Sequence, residues 1–441
     1  MSNDRSKSIV VLGASGLIGH FVATDLARRG FAVTAVARRF TPGQREAFGT
    51  SARELPVIDL APAALTNLLV DSRADVVVNC LGVLQDGIAD RTQDVHDEFV
   101  ARLLKAIRAG RHAILLIHIS IPGGAGDDNT QFSRTKRNAE QRIIASDIRY
   151  AILRPGFVWA PAAFGGSALF RALAASPFRL SAPDSSRPFR AVAVEDVAET
   201  VAWLTERGPA STAVTWDLME PKVRTVGEVI ASLRRWFGTE ACWQVTVPGF
   251  LLVLAAKAGD VVAWLGWRSP VRSTALQEMR RGVDGDPGFW MAATEIVPQT
   301  LDDVLRTRPA TVQERWFARL YGLKPLAIVV LVVFWCVSGL IAITISYPAA
   351  VAIMTSHGYS DGFARATTVA SSVLDIFVGL LVAVRRTCRL GLFAGVAMSL
   401  GYMTAAAGLM PDLWTEPLGA LVKTGPAIVL MLMTLAISDE R

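Results

Sequence analysis

The four cysteines, Cys80, Cys242, Cys336 and Cys388, share no paired spacing. Neither a disulfide framework nor a cysteine-ligated zinc site is indicated. The five histidines form no metal motif. No basic stripe interleaved with aromatics exists, so the net charge of +6 is not a nucleic-acid footprint and no nucleic-acid partner is expected. The opening residues, MSNDRSKS, hold no apolar signal core, and the N-terminal part is expected to stay in the cytosol. Tyrosine is scarce, with five copies at positions 150, 321, 347, 359 and 402.

Apolar residues are abundant, at 51% with a mean hydropathy of +0.37. At 441 residues the chain exceeds one ordinary domain. The excess is uneven, because apolar segments dominate from Pro325 onward while the preceding part reads as globular α/β. Residues 325–441 hold six basic and six acidic side chains, so the positive surplus resides entirely in residues 1–324. A diffuse surplus of that kind suits a protein near an anionic membrane surface.

The organising stretch is residues 9–30, IVVLGASGLIGHFVATDLARRG. An apolar β-branched run ends in a turn with Gly13, Gly16 and Gly19, and a helical pattern follows to Gly30. Strand, glycine turn and helix in that order is what a dinucleotide needs. Free N–H groups at the helix start face the pyrophosphate. Gly13, Ser15, Gly16, Leu17, Ile18 and Gly19 are the candidate contacts. A second strand at 31–37 runs into Arg38 and Arg39, where an NAD site usually carries an acid. Arginine suits a 2′-phosphate, so NADP(H) is expected over NAD.

GxxGxxG in this setting resembles the short-chain dehydrogenase/reductase superfamily, especially its extended and atypical branches. The resemblance covers about the first 310 residues. It implies that Asp59 and Leu60, on an expected third strand at 55–60, lie by the adenine. Asn79-Cys80-Leu81-Gly82, after a strand at 75–80, resembles the segment lining the nicotinamide-side ribose. Ser120, after a strand at 113–119, stands where the family carries its catalytic serine. LRPGFVW at 153–159 resembles the family's LRPxxVYG segment and sets Pro155 beside the nicotinamide. Residues 188–197 and 298–305 match later family elements. A helix at 91–109 carries His96, read as packed or exposed rather than catalytic.

The family's YxxxK motif falls on Phe132-Ser-Arg-Thr-Lys136. Residues four apart share a helix face, so both motif side chains reach the cofactor in the family. Phe132 has no proton to give, and no tyrosine can slide into register. Lys136 keeps its implied ribose-binding role. Either activity is lost with binding kept, or another donor such as Ser120, Ser133, Lys136 or water serves. Sugar-nucleotide epimerisation or dehydration would need the missing tyrosine.

Residues 247–267 are apolar but carry Lys257 and Asp260 mid-stretch, which opposes a membrane span. With Trp264, Trp267, Arg268 and Arg272 they read as an interfacial helix or a wall or lid of the substrate subdomain. Residues 311–324 form an expected amphipathic linker helix. Four apolar segments follow near 325–346, 363–384, 388–409 and 417–437, each about the 20 residues that span a bilayer. Arg385, Arg386 and Arg389 sit between the second and third. The loops at 347–362 and 410–416 carry Asp361, Asp412 and Glu416 but no Lys or Arg. Both termini are therefore expected on the cytosolic side of an inner membrane. LWTEPLGALVKTGP at 413–426 resembles a recurrent stretch of the DoxX-like family of four-helix membrane domains. Asp375 and Lys423 are charges inside spans, candidates for a mutual pair or a head-group contact.

The expected fold is a doubly wound, parallel-sheet Rossmann domain (1–310, with a substrate subdomain near 160–300). An all-α, DoxX-like bundle of four transmembrane helices follows at 325–441. The expected function is a membrane-anchored NADP(H)-dependent oxidoreductase of atypical type, acting on a lipophilic or quinone-like molecule. The alternative is a non-catalytic NADP(H)-binding subunit of a membrane complex. Membrane lipid and a lipophilic molecule or membrane protein are the expected partners.

Overall fold

A computed structural model describes residues 6–87, 91–110, 113–207, 213–240, 243–267, 269–415 and 419–438. Cys242, Arg268, Glu416 and the first two residues of the expected fourth span lie outside them. The chain forms two compact units, residues 1–260 with 269–318, and residues 261–268 with 319–441.

In the first unit seven parallel strands form one sheet: β1 (Ser8–Leu12), β2 (Ala32–Ala37), β3 (Ala52–Glu54), β4 (Val76–Asn79), β5 (Leu115–Ile119), β6 (Tyr150–Pro155) and β10 (Ala213–Leu218). Their spatial order is β10-β6-β5-β4-β1-β2-β3. The order reverses between β1 and β4, which opens a crevice at the carboxyl ends of those strands. Strand β1 is buried on both faces, as its unbroken apolar run requires. Ile9 and Val11 pack toward α1 (Leu17–Arg28) and α8 (Val194–Arg207). Val10 and Leu12 pack toward α3 (Pro62–Asp71), α4 (Phe99–Ala109) and α5 (Gln131–Ile144). A short helix, α2 (Pro42–Phe48), is capped by Thr41 beside the glycine turn.

Two expected elements differ. The third strand is not 55–60 but Ala52–Glu54, and residues 57–59 form a single 3₁₀ turn. Pro56 has no N–H for a ladder and ends the edge strand. The expected helix at 91–109 is broken in type: a π-helical turn over Asp94–Glu98 leads into α4.

The remainder of this unit carries two short sheets, β7 (Phe157–Trp159) with β9 (Ala191–Ala193) and β8 (Phe178–Leu180) with β11 (Val245–Val247). Around them lie α6 (Gly165–Ala175), α7 (Ala182–Ser185), α9 (Val226–Phe237), α10 (Gly249–Trp264), α11 (Ser273–Arg281), α12 (Gly288–Thr294) and α13 (Leu301–Thr307). Phe170, Phe189, Val229, Leu233 and Val304 make their common core. Trp290 of α12 is buried against the main sheet, its indole N–H donating to Thr200 at 3.0 Å.

The second unit is helical: α14 (Val312–Ile343), α15 (Tyr347–Ser356), α16 (Asp361–Ala383), α17 (Cys388–Leu409) and α18 (Ala420–Ala436). The expected linker helix and first span are one helix of 32 residues, which runs unbroken through Gly322 and Pro325. The expected loop at 347–362 contains α15. Among the described residues three helices, α14, α16 and α17, are long and apolar enough to cross a membrane. At 17 residues α18 is about 25 Å long, short of the ~30 Å hydrocarbon core. Glycines allow close packing: a side chain at Gly379 would meet Cys336, and one at Gly395 would meet Trp335 and Met431.

Candidate functional site

Gly13 turns the chain off β1 with φ of +82°, and a Cβ there would stand 3.1 Å from the Cys80 carbonyl. Its N–H and that of Ala14 donate to Val36 O at 2.9 and 3.0 Å, which ties the turn to β2. A Cβ on Gly19 would stand 2.3 Å from Gly13 O, so helix and loop touch backbone to backbone. Gly16 caps α1 with no side-chain hydrogen bond. The first N–H groups of α1 therefore face outward at the crevice, an anion site in waiting. Ser15, Leu17 and Ile18 form its half-buried rim, and Gln44 donates to Ser15 O at 3.2 Å.

At the end of β2, Arg38 and Arg39 are exposed. Glu54 accepts from Phe40 N–H at 2.8 Å and from Arg45 at 2.6 Å, which fixes this basic turn. Its carboxyl lies below the usual range, chiefly through the Arg45 hydrogen bond. Asp59 is exposed and Leu60 half-buried on the 3₁₀ turn rather than on a strand.

The ends of β4 and β5 meet α5 in a buried polar cluster. Lys136 Nζ donates to Ile119 O at 2.9 Å and Leu81 O at 3.2 Å. Burial lowers its pKa to about 8, against the opposing pull of Cys80 and Glu140. A Cβ on Gly82 would lie 3.5 Å from Nζ and 3.8 Å from His96 Nε2. His96 is buried and belongs to this cluster, joined to Thr135 Oγ1 at 2.9 Å while its Nε2 accepts from Val83 N–H at 3.1 Å. Thr135 in turn donates to Phe132 O, so the proton sits on Nδ1. Burial, with Lys136 nearby, lowers the His96 pKa to about 2. His118 is buried beside it, its Nδ1 on Asn79 at 3.1 Å and its Nε2 without a partner. Burial drives its pKa well below normal. Sequence reasoning gave neither histidine a role. A histidine within the buried run LLIHI was the available signal.

Phe132 presents its ring edge to His96, with centroids 5.5 Å apart. No hydroxyl stands there. Ser133 is spent on the helix cap, bonded to Thr130 on both sides, so it does not serve as a proton donor. Ser120 is buried and its Oγ makes no hydrogen bond of ordinary geometry, although it lies near Glu140 and helps hold that carboxylate charged. Burial opposes the charge on Glu140, but Arg154 at 2.6–2.8 Å and Arg137 at 2.6 Å outweigh it. Arg137 and Arg281 both hold Asp128, at 3.0 and 2.8 Å, which pins the loop between Ser120 and α5. Pro155 closes β6, buried and paired with Leu218.

Gly13–Gly19, the 38–39 turn, Leu81–Gly82, Lys136, Ser120 and Pro155 all stand at the carboxyl ends of neighbouring strands. In the helical unit Asp375 accepts from Tyr402 Oη at 2.9 Å. Lys423 is exposed on α18, and among the described residues no ion pair joins it to Asp375.

Comparison with known proteins agrees with this geometry. Residues 13–205 match the family described as NAD(P)H-binding, and residues 332–432 match the DoxX-like family. Two relatives are divinyl chlorophyllide a 8-vinyl-reductases, chloroplastic. The Cucumis sativus protein is 27% identical over 35% of this chain and 39% of its own length. The Arabidopsis thaliana protein is 26% identical over 34% and 38%. The chain thus spans under half the length of these relatives. Among solved structures, the Thermotoga maritima UDP-glucose 4-epimerase has a TM-score of 0.51 at 16% identity, covering 72% of this chain and 99% of its own. For the dTDP-glucose 4,6-dehydratase of Bacillus anthracis in complex with NAD the values are 0.52, 12%, 70% and 96%. These neighbours share the fold. The chain joins an NAD(P)H-binding domain of Rossmann type to a DoxX-like domain.

Proposed function

We propose that this chain is a membrane-anchored, NADP(H)-dependent reductase of atypical type that acts on a lipophilic or quinone-like molecule without a catalytic tyrosine. The observation that carries the reading is Lys136, buried with Nζ between Leu81 O and Ile119 O, beside a Phe132 that offers no proton. Two of its three N–H bonds are used, and the third suits a ribose hydroxyl. The α1 N-terminus would hold the pyrophosphate, Arg38 and Arg39 the 2′-phosphate, and Asp59 and Leu60 the adenine side. Leu81, Gly82 and Pro155 would flank the nicotinamide. A bound nicotinamide supplies hydride chemistry. Ser120, buried beside Glu140, is the candidate hydroxyl donor, and an acceptor that takes its proton from water needs none. The naming of both relatives as reductases supports reduction.

The arginines between α16 and α17 favour cytosolic termini in a multi-pass inner-membrane protein. A second reading, a non-catalytic NADP(H)-binding subunit, is favoured by Phe132 together with the neutral, fully bonded His96.

Titration of the detergent-solubilised chain with NADPH and NADH tests the proposal. NADPH is expected to bind more tightly, and Arg38→Asp to weaken it alone by about 10–100-fold, the worth of one charge-assisted contact. Equal binding of both nucleotides refutes the NADP assignment, and no binding refutes the reading. Oxidation of NADPH by a quinone supports the reductase; binding without turnover on any lipophilic acceptor favours the subunit.

A further inference from the structure

Helix α10 leaves much of its apolar surface exposed. Its half-exposed Asp260 accepts from Arg272 at 2.9 Å. Gly259 is buried so closely on Val271 that a Cβ would stand 1.9 Å from its carbonyl oxygen. Leu252 packs into the core around Phe170 and Phe189. The outward stripe is apolar: Phe250, Leu254, Val261 and Trp264 are 70%, 62%, 66% and 85% exposed. Their spacing of four, seven and three residues puts them on one face. Water gives no reason to turn a face of this kind outward.

The segment after α10 shows what covers it. Trp267 donates its indole N–H to Ala383 O, the last residue of α16, at 2.7 Å. Arg385 N–H donates to Leu265 O at 3.0 Å. Trp267 also packs among Ile328, Leu331 and Val382 of the spans. Residues 265–267 are therefore fixed to the turn where two spans end, which is the level of the bilayer surface. Trp264, three residues before that fixed point, stands at the same level, and tryptophan favours it. Lys257, exposed on the same side, has a stem long enough to reach the head groups.

We infer that the end of α10 lies at the bilayer surface, with Val261 and Trp264 embedded in the leaflet reached by the α16–α17 turn. The inference rests on the membrane reading of the spans and not on the cofactor.

The test uses the full chain in phosphatidylcholine–phosphatidylglycerol vesicles with and without brominated acyl chains. The emission lost in the native chain but not in Trp264→Phe is the part due to Trp264. Loss to bromolipid is expected, and more to bromine placed high in the chain than near its end. Val261→Trp in the Trp264→Phe background probes a second point of the stripe, and the same loss is expected. Leu380→Trp, on an exposed face of α16, is the control. If Leu380→Trp is quenched by lipid while Trp264 and Val261→Trp are quenched only by aqueous iodide, the inference fails alone. Protection from both quenchers means that a protein covers the face, which also overturns it. An unquenched control overturns the membrane reading beneath it. NADPH binding, measured on the same vesicles, reports the proposed function separately and is expected unchanged in Trp264→Phe.

Discussion

Gly19→Ala and Gly16→Ala separate packing from binding in the glycine turn. At Gly19 the new Cβ would stand 2.3 Å from Gly13 O, 2.8 Å from Gly13 C and 3.2 Å from Ala14 Cα. The first distance is about 1 Å short of ordinary contact. All three neighbours are backbone, so no side chain can swing aside; α1 must lift off the loop. Overpacking of this kind costs about 1–3 kcal/mol, a fall in Tm of roughly 2–10 °C. Displaced N–H groups also lose the phosphate. At Gly16 the Cβ meets Gly13 O at 3.3 Å and nothing else within 4 Å. That substitution leaves the stability within about 1 kcal/mol of native, yet fills the space through which a pyrophosphate approaches. Thermal unfolding and calorimetric NADPH titration of the full-length chain in detergent read the two effects. Gly19→Ala is expected to lose stability and binding, Gly16→Ala binding alone. Native stability in Gly19→Ala would refute the contact between helix and loop. Native affinity in Gly16→Ala would refute pyrophosphate binding at this turn.

Phe132→Tyr restores a phenol four residues before Lys136; it is expected to give NADPH-dependent reduction of a small ketone that the native chain lacks, and no gain would mean that the surrounding site is not competent. For His96 the folded pKa is about 2 against an ordinary 6.5, so the unfolded chain binds the extra proton first. Stability is therefore full above pH 6.5 and falls as pH drops below it, by up to about 1.4 kcal/mol per pH unit for this residue. His96→Gln is expected to flatten that slope in denaturant titrations between pH 4 and 6.5, and an unchanged slope would place the proton elsewhere. The same variant leaves Val83 N–H or Thr135 poorly bonded, for a loss of about 1–3 kcal/mol at neutral pH. Arg281→Met removes one of the two arginines on Asp128; raised proteolysis of the loop between Ser120 and α5 is expected, with β1 to β4 unaffected, and native resistance would assign the loop's order to Arg137 alone.

Local chemistry carried much of the fold in the sequence itself. An apolar run, three glycines and a helical period can form only a strand, a tight turn and a helix, so β1, the turn and α1 were readable from residues 9–30 alone. Two of the four apolar segments after Pro325, those expected near 363–384 and 388–409, declared their helices in the same way. The missing phenol at Phe132 was also visible there, since it depends on spacing within one helix. What needed tertiary structure was whatever depends on residues far apart in the chain. Pairing with Ala37 decided that the third strand is 52–54. His96, 40 residues from Lys136, reaches it only because a π-helical turn and α5 pack together, and then becomes neutral by burial. Asp375 met Tyr402 and not Lys423 because helix packing chose its partner. The apolar sequence of α10 gave its composition, whereas only folding decided which face packs, because Gly259 sits against Val271 and Leu252 against the core around Phe170.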